Sequence, residues 1–429
     1  MSSDLQIPLF LLTFNCAKLK LNAAEFIDHV IGALPQAACD LYVFGFQEVC
    51  SILDGAFPDI VNRHMIEINR ILLDTLHEKY HSPSSPYNFT TVGLHHVGAI
   101  GMIAISPFGL RFRDCRFADA SCGSAHSLLK GGVGLRVKYV PNSQTNIEFT
   151  FACSHLNANE GEYYYQRRLK DLYAVMRALD FGDGFSFLKP NCHSFFMGDL
   201  NFRTSKVVLK GKPSAALADF LDLHDRSNTS DVSGSIMSLV RKYDELTEGK
   251  NKGELFTGFS EPDITFQPTY KYYLDTAIYN TKRCPLWCDR ILFQNTYKVG
   301  HRPHVYKYLS IDTYKRSDHR PVYLHLSVPY IAPESIIGES GFLVVVPNTS
   351  PRPHSSDFNF DQANEEIVSG PTLTFMKCTS LDKINQIFFR RVSDLFIGYG
   401  LWFGTTPKGR LLLLGFTLLM WVAYYILSK

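Results

Sequence analysis

Six short motifs, far apart in the chain, set acids, amides and imidazoles directly beside apolar runs. Asn15 follows LTF, Gln47 and Glu48 follow VFGF, His155 follows FACS, and Asp199 and Asn201 follow FFMG. Asp289 stands in PLWCDRILF, and Asp318 and His319 stand in SDHRPVYL. A carboxylate at the edge of a buried run needs a cation or hydrogen-bond partners, because an unpaired buried charge is costly. Singly, each has a plain structural explanation: Glu48 as a helix cap, His155 as a satisfied core histidine, Asp199 with Asn201 as an Asx turn. Together, several oxygen donors and two histidines favour a hard-cation phosphoesterase site, since Mg²⁺ takes oxygen ligands and shares them with substrate phosphate. The chain has no Gly-rich Walker motif, nucleophile elbow or kinase catalytic loop.

The elements that must position these groups alternate between strand-like and helical stretches as far as about residue 328. LFLLTF (9–14), LYVFGF (41–46), IGMIAIS (100–106), GLRVKYV (134–140), IEFTFAC (147–153) and FFMGDL (195–200) read as strands. Residues 23–34, 62–79 and 163–179 read as helices, the last with Tyr165, Leu169, Leu172 and Val175 near one face. Many short strands with interspersed helices predict a layered α/β domain of packed sheets. Polar groups at strand ends then converge at one edge. Residues 225–254 read as a polar excursion with one short helix.

Of 429 residues, 45% are hydrophobic and 20% charged, as in an ordinary globular protein. A formal net charge of +2 argues against a wholesale nucleic-acid binder. Ten scattered cysteines do not make a dense disulfide framework. Cys284 and Cys288 form the one close pair and lack the second pair or histidines of a zinc knuckle, so buried reduced thiols are expected.

Beyond Pro329 the character changes. Residues 329–380 read as a linker, rich in Pro, Ser, Asn and Asp over 346–371. Residues 381–400 carry apolar side chains at helical spacing, with Lys383, Arg390 and Arg391 among the polar positions. That pattern suits an amphipathic helix on a membrane or one packed back on the domain, with nothing to separate the two. Residues 411–427, LLLLGFTLLMWVAYYIL, contain no charge and follow Lys408 and Arg410. Seventeen residues are at the short end for a bilayer span. They predict a single-pass tail anchor over residues 409–428, in a thin membrane such as the endoplasmic reticulum, with the bulk of the chain in the cytosol.

The chain resembles the inositol polyphosphate 5-phosphatases of the endonuclease/exonuclease/phosphatase superfamily, as a tail-anchored, fungal-type member. The resemblance is carried, in order, by TFNCA (13–17), FGFQEV (44–49), KGGVGLR (130–136), SHLNANEGEYYYQRRLKD (154–171), FFMGDLNFR (195–203), ITFQPTYKY (264–272), CPLWCDRIL (284–292) and SDHRPV (317–322). It implies a catalytic domain over residues 1–328, built as a four-layer α/β/β/α sandwich of two mixed sheets. It also implies roles. Glu48, helped by Asn15 and supported by Asp318, would hold Mg²⁺. Asp199, with Asn201 beside it, would orient the attacking water. His319, paired with Asp289, and His155 would contact the scissile phosphate, and Arg168 would brace the site from behind. Tyr270 and Lys271 would meet the neighbouring 4-phosphate, with Lys282 or Arg283 as a second cation. Asn157 and Asn159 depart from the family's usual residues after His155-Leu156. The implied substrate is phosphatidylinositol 4,5-bisphosphate, in the membrane that holds the anchor or in an apposed one reached across the linker. A sphingomyelinase or nuclease of the same superfamily, and a catalytically inactive membrane scaffold, are the competing readings.

Overall fold

A computed structural model describes residues 5–81, 87–123, 127–204, 232–280, 282–344 and 374–428. The first apolar run forms β1 (Gln6–Asn15). Its side chains alternate: Ile7, Leu9 and Leu11 enter one core, while Phe10, Leu12 and Phe14 enter another. A strand buried on both faces reads as continuous hydrophobicity, as LFLLTF does.

Two six-stranded sheets follow. The first has the order β11 (His304–Ser310), β12 (Val322–Pro329), β1, β2 (Leu41–Gln47), β4 (Ile100–Ser106), β3 (Thr90–Val97). The second has the order β5 (Phe112–Ser121), β6 (Gly131–Asn142), β7 (Thr145–His155), β8 (Cys192–Asp199), β10 (Asp289–Gln294), β9 (Phe259–Ser260). Both are mixed: β1 runs parallel to β2 and β7 parallel to β8, and the other pairings are antiparallel.

The inner faces share one core, in which Leu9, Val43 and Leu324 of the first sheet join Leu135, Phe151 and Met197 of the second. Helices α1 (Ala23–Ile31) and α3 (Pro58–Tyr80) cover the outside of the first sheet, with Phe26, Val61 and Leu72 packed in the same cluster as Phe10, Phe44 and Ile103. A short α2 (Ile52–Gly55) precedes α3. Helix α4 (Glu162–Ala178) covers the second sheet through Leu172, Val175 and Met176. The layers are therefore helix, sheet, sheet, helix. All ten cysteines are free, and most are buried.

The polar excursion holds two helices rather than one, α5 (Val232–Tyr243) and α6 (Glu245–Asn251), while residues 225–231 lie outside the described residues. The segment expected as a linker is packed at both of its described ends. Ile336, Ile337 and Met376 are buried in the core beneath α4, and Phe342 bridges Phe375; residues 345–373 lie outside the described residues. Composition hid this because the Pro- and Ser-rich middle outweighs short apolar ends.

Residues 380–405 then form α7 (Ser380–Ile384), a π-helical turn (Asn385–Phe389) and α8 (Arg390–Thr405). They pack on the domain. Helix α9 (Pro407–Leu427) follows, long and apolar enough to cross a membrane and with none of its apolar window buried.

Candidate active site

The parallel pairs bring strand ends together. Asn15 ends β1 opposite Gln47 at the end of β2, and His155 ends β7 opposite Asp199 at the end of β8. Strand β10 runs antiparallel to β8, so Asp289 at its start faces Asp199. β12 runs antiparallel to β1, which sets the SDHRP turn at the same edge. The backbone is shaped for this. Glu48 and Asn201 adopt positive φ, +49° and +56°. Gly198, at φ +143°, lies where a Cβ would fall 1.9 Å from the Ser154 carbonyl oxygen, so only glycine lets β8 deliver Asp199 there.

Asp199 is the hub. Its Oδ2 accepts from Asn15 Nδ2 at 2.9 Å and lies 3.3 Å from His155 Nε2 and 3.8 Å from His319 Nε2. Burial alone would raise its pKa, but His155 and His319 outweigh burial and hold it well below the usual carboxylate range. His319 Nδ1 sits 2.9 Å from Asp289 Oδ2, which also accepts from Thr269 at 2.6 Å. Burial disfavours charge on His319, yet Asp289 and Asp199 lift it to about 9. Burial raises Asp289 itself. His155 is shifted the other way, down, by burial and by Lys130, which contacts its Nε2. The site thus holds one cationic and one neutral imidazole around an ionised carboxylate.

Asn201 donates to the Leu156 carbonyl at 3.0 Å, and its backbone N–H donates to Asp199 Oδ1 at 3.1 Å. Arg168, fully buried, donates to the Asn159 carbonyl at 2.8 Å and to Glu245 at 2.6 Å. Glu245 in turn accepts from the Arg203 backbone at 2.9 Å, and Arg203 contacts the Asn201 side chain. Arg168 therefore acts through the loop around Asn157 and Asn159 and through Glu245. Asn159 itself adopts φ +80° there.

Tyr270 packs against His319 with the rings tilted by 34° and centroids 4.4 Å apart, and the Arg203 guanidinium lies 5.2 Å from the Tyr270 ring. Lys271 Nζ binds Asp318 Oδ2 at 2.8 Å. Asp318 is thus engaged on the Tyr270 side, by a lysine 47 residues upstream that local pattern does not reveal. Lys282 and Arg283 are both exposed, and the charge of Arg283 is felt at Lys271.

Two donor sets could hold a cation. Ligand atoms of Asp199, Asp289 and His319 all lie within 4.8 Å of one another, and Asp289 Oδ1 is buried without a hydrogen-bond partner. The Glu48 carboxylate faces a cavity of about 220 Å³ shared with Lys18, Lys130 and His155, and meets the Lys18 ammonium at 3.4 Å.

Lys130, Arg203, Thr269 and Glu245 were not singled out from sequence. Three of them, Lys130, Arg203 and Thr269, sit inside the motifs KGGVGLR, FFMGDLNFR and ITFQPTYKY.

Residues 12–325 match the protein family described as Endonuclease/Exonuclease/phosphatase family 2. Type IV inositol polyphosphate 5-phosphatase 11 of Arabidopsis thaliana is 27% identical over 219 residues, 50% of this chain and 58% of that protein. Type I inositol polyphosphate 5-phosphatase 2 of the same plant is 32% identical over 185 residues, 40% of this chain and 25% of that protein. The matches thus span about half or less of these relatives' lengths. Among solved structures, the 5-phosphatase domain of a synaptojanin, with inositol (1,4)-bisphosphate and a calcium ion, aligns at TM-score 0.60 and 22% identity, covering 77% of this chain and 86% of that one. A Cimex nitrophorin aligns at TM-score 0.54 and 18% identity, covering 76% and 99%. The second likeness shows that this fold alone does not decide the chemistry. The chain therefore belongs to the endonuclease/exonuclease/phosphatase family 2, and the curated relatives it resembles are inositol polyphosphate 5-phosphatases.

Proposed function

We propose that the chain is a Mg²⁺-dependent phosphatidylinositol 4,5-bisphosphate 5-phosphatase, working at a membrane that α9 spans. One observation carries this reading: a carboxylate, Asp199, held ionised between His155 and the His319–Asp289 pair, with Tyr270 packed against His319 and Lys271 beside Tyr270. An in-line displacement at a phosphate monoester needs an oriented water and neutralised phosphoryl oxygens, with little covalent help. Asp199 is too acidic to be a strong base, so its part is to orient the water. His319, cationic near neutral pH, donates to a phosphoryl oxygen where charge accumulates. Lys271 and Arg283 supply the positive charge for the ring's neighbouring phosphate.

For the cation we favour Glu48 and Asn15. The Asp199, Asp289 and His319 donors are all buried, whereas the Glu48 carboxylate opens on the cavity it shares with His155. Bound there, the ion would neutralise phosphoryl charge and polarise the water.

Helix α9 supports a membrane location. Its uncharged stretch is about 25 Å long at 1.5 Å per residue, close to the thin hydrocarbon layer of the endoplasmic reticulum. Lys408 and Arg410 before it favour a cytosolic catalytic domain. Matched relatives come from plants, mammals and yeast, which singles out no fungal affinity.

The test is turnover by the full chain in liposomes with Mg²⁺, read as inorganic phosphate from phosphatidylinositol 4,5-bisphosphate, phosphocholine from sphingomyelin and strand scission of abasic DNA. Release from the bisphosphate alone, abolished by chelation, is expected. Cleavage of either other substrate instead would move the protein to a sister activity.

A further inference from the structure

The helix over residues 380–405 is amphipathic in the reverse of the usual sense. A row of its polar side chains faces the protein and most of its apolar ones face outward. Asp382 forms a two-pronged ion pair with Arg177, at 2.8 and 2.9 Å. Gln386 accepts from the Ser121 backbone at 2.8 Å and donates back to the Ser121 carbonyl at 3.1 Å. Arg390 contacts Asp119, and Asp394 accepts from the Leu128 backbone at 2.9 Å. Gly398 ends the seam, where a Cβ would fall 2.9 Å from that of Ala56.

These five residues are spaced by four. In a regular α-helix such a row drifts by about 40° per step and would wind off the domain. The wider π-helical turn at Asn385–Phe389 lies inside the row and offsets that drift. Outside the seam, Leu381, Ile384, Ile387, Phe388, Leu395 and Phe396 are all more than half exposed. An apolar face this long is not left to water in a soluble protein. It continues, past Thr406, into α9, whose apolar window is wholly unburied. The helix also walls the site: Asp394 and Ile397 line the same cavity as Glu48, Lys130 and His155.

We propose that residues 380–405 lie in the interface of the bilayer that α9 spans and hold the catalytic domain on their polar seam, so that the cavity mouth faces that same bilayer. The occupant of the apolar face is lipid. The enzyme then works on lipids of its own membrane and not on those of an apposed one. This rests on the phosphoinositide reading for its substrate, and its orientation claim is tested separately.

The experiment reconstitutes the full chain in vesicles. For orientation, Phe396→Trp is made in a Trp402→Phe, Trp421→Phe background, and fluorescence is read with brominated lipids. Quenching of the introduced indole is expected. An unquenched indole, including one covered by self-association, overturns the proposal. For activity, substrate is placed either in the enzyme's own vesicles or in a second population tethered to them. Own-vesicle turnover should exceed tethered-vesicle turnover on the order of 100-fold. The triple variant Asp382→Ala, Gln386→Ala, Arg390→Ala should narrow that gap roughly tenfold, with hydrolysis of soluble inositol 1,4,5-trisphosphate unchanged. An unaltered gap overturns the seam's role. Absence of hydrolysis of both the own-vesicle lipid and the soluble substrate by the unmodified chain would sink the phosphatase reading, while the quenching result still decides the orientation.

Discussion

His319 presents Nδ1 to Asp289 at 2.9 Å and Nε2 towards Asp199 at 3.8 Å, so one imidazole is clamped between two carboxylates on the second sheet. The clamp raises its pKa from the ordinary value to about 9. A raised histidine contributes stability fully below its unfolded value, about 6.5, and loses that contribution as pH rises through about 9. The activity should share this alkaline limb near pH 9. In Asp289→Asn the limb should move down by roughly a unit or more, and turnover should fall. A pH–rate profile of both proteins checks this, and an unmoved limb would remove His319 from the role.

Asp199→Asn keeps the shape and hydrogen-bonding reach of the hub but loses its charge. Turnover should fall on the order of 10²–10⁴ with KM little altered. Steady-state kinetics decide it, and near-normal turnover would refute the assignment.

Lys271→Ala removes a charge-assisted contact worth about 1.5–3 kcal/mol. The expected result is a KM roughly tenfold or more higher for substrates bearing a 4-phosphate, with turnover changed less. A substrate lacking that phosphate should be nearly indifferent. Equal losses on both substrates would place Lys271 elsewhere.

Glu48→Gln should raise the Mg²⁺ concentration needed for half-maximal activity, since an amide is a weaker ligand than a carboxylate for a hard cation. Lys18→Met should lower it, by removing the ammonium 3.4 Å from that carboxylate. A Mg²⁺ titration of both variants reads the two opposite shifts. If neither shifts, the cation lies with the Asp199, Asp289 and His319 set.

Arg168→Ala should destabilise the fold by about 3–5 kcal/mol, because it strands Glu245 in the interior. Arg168→Lys should rescue only part, since a point charge cannot bridge both Glu245 and the Asn159 carbonyl. Urea unfolding monitored by fluorescence measures both.

The strands were legible because their runs are apolar enough to be buried on both faces, as β1 and β2 are. The hub was legible because Asn15, His155, Asp199 and Asp289 each interrupt or border such a run. What stayed hidden were partnerships between distant segments: Lys271 with Asp318, Lys130 with His155, Arg168 with Glu245. No periodicity encodes which ends of two sheets will meet. The helix over 380–405 shows a second limit. Helical spacing announces two faces, and the usual assignment turns the apolar one inward. Here the ion pairs Arg177–Asp382 and Lys383–Asp180 mark the polar side as the docked one, and only their coordinates reveal it.

Asn15 ends a strand of the first sheet and Asp199 a strand of the second, so their 2.9 Å hydrogen bond is a strut across the seam of the sandwich. Everything the reaction needs is divided between the two slabs in this way. Catalysis is thus a gauge of the gap between them. A swollen interior, from heat or from a trimmed Leu9 or Met197, would part the two half-sites by fractions of an ångström well before the chain came undone. Inactivation should accordingly run ahead of melting.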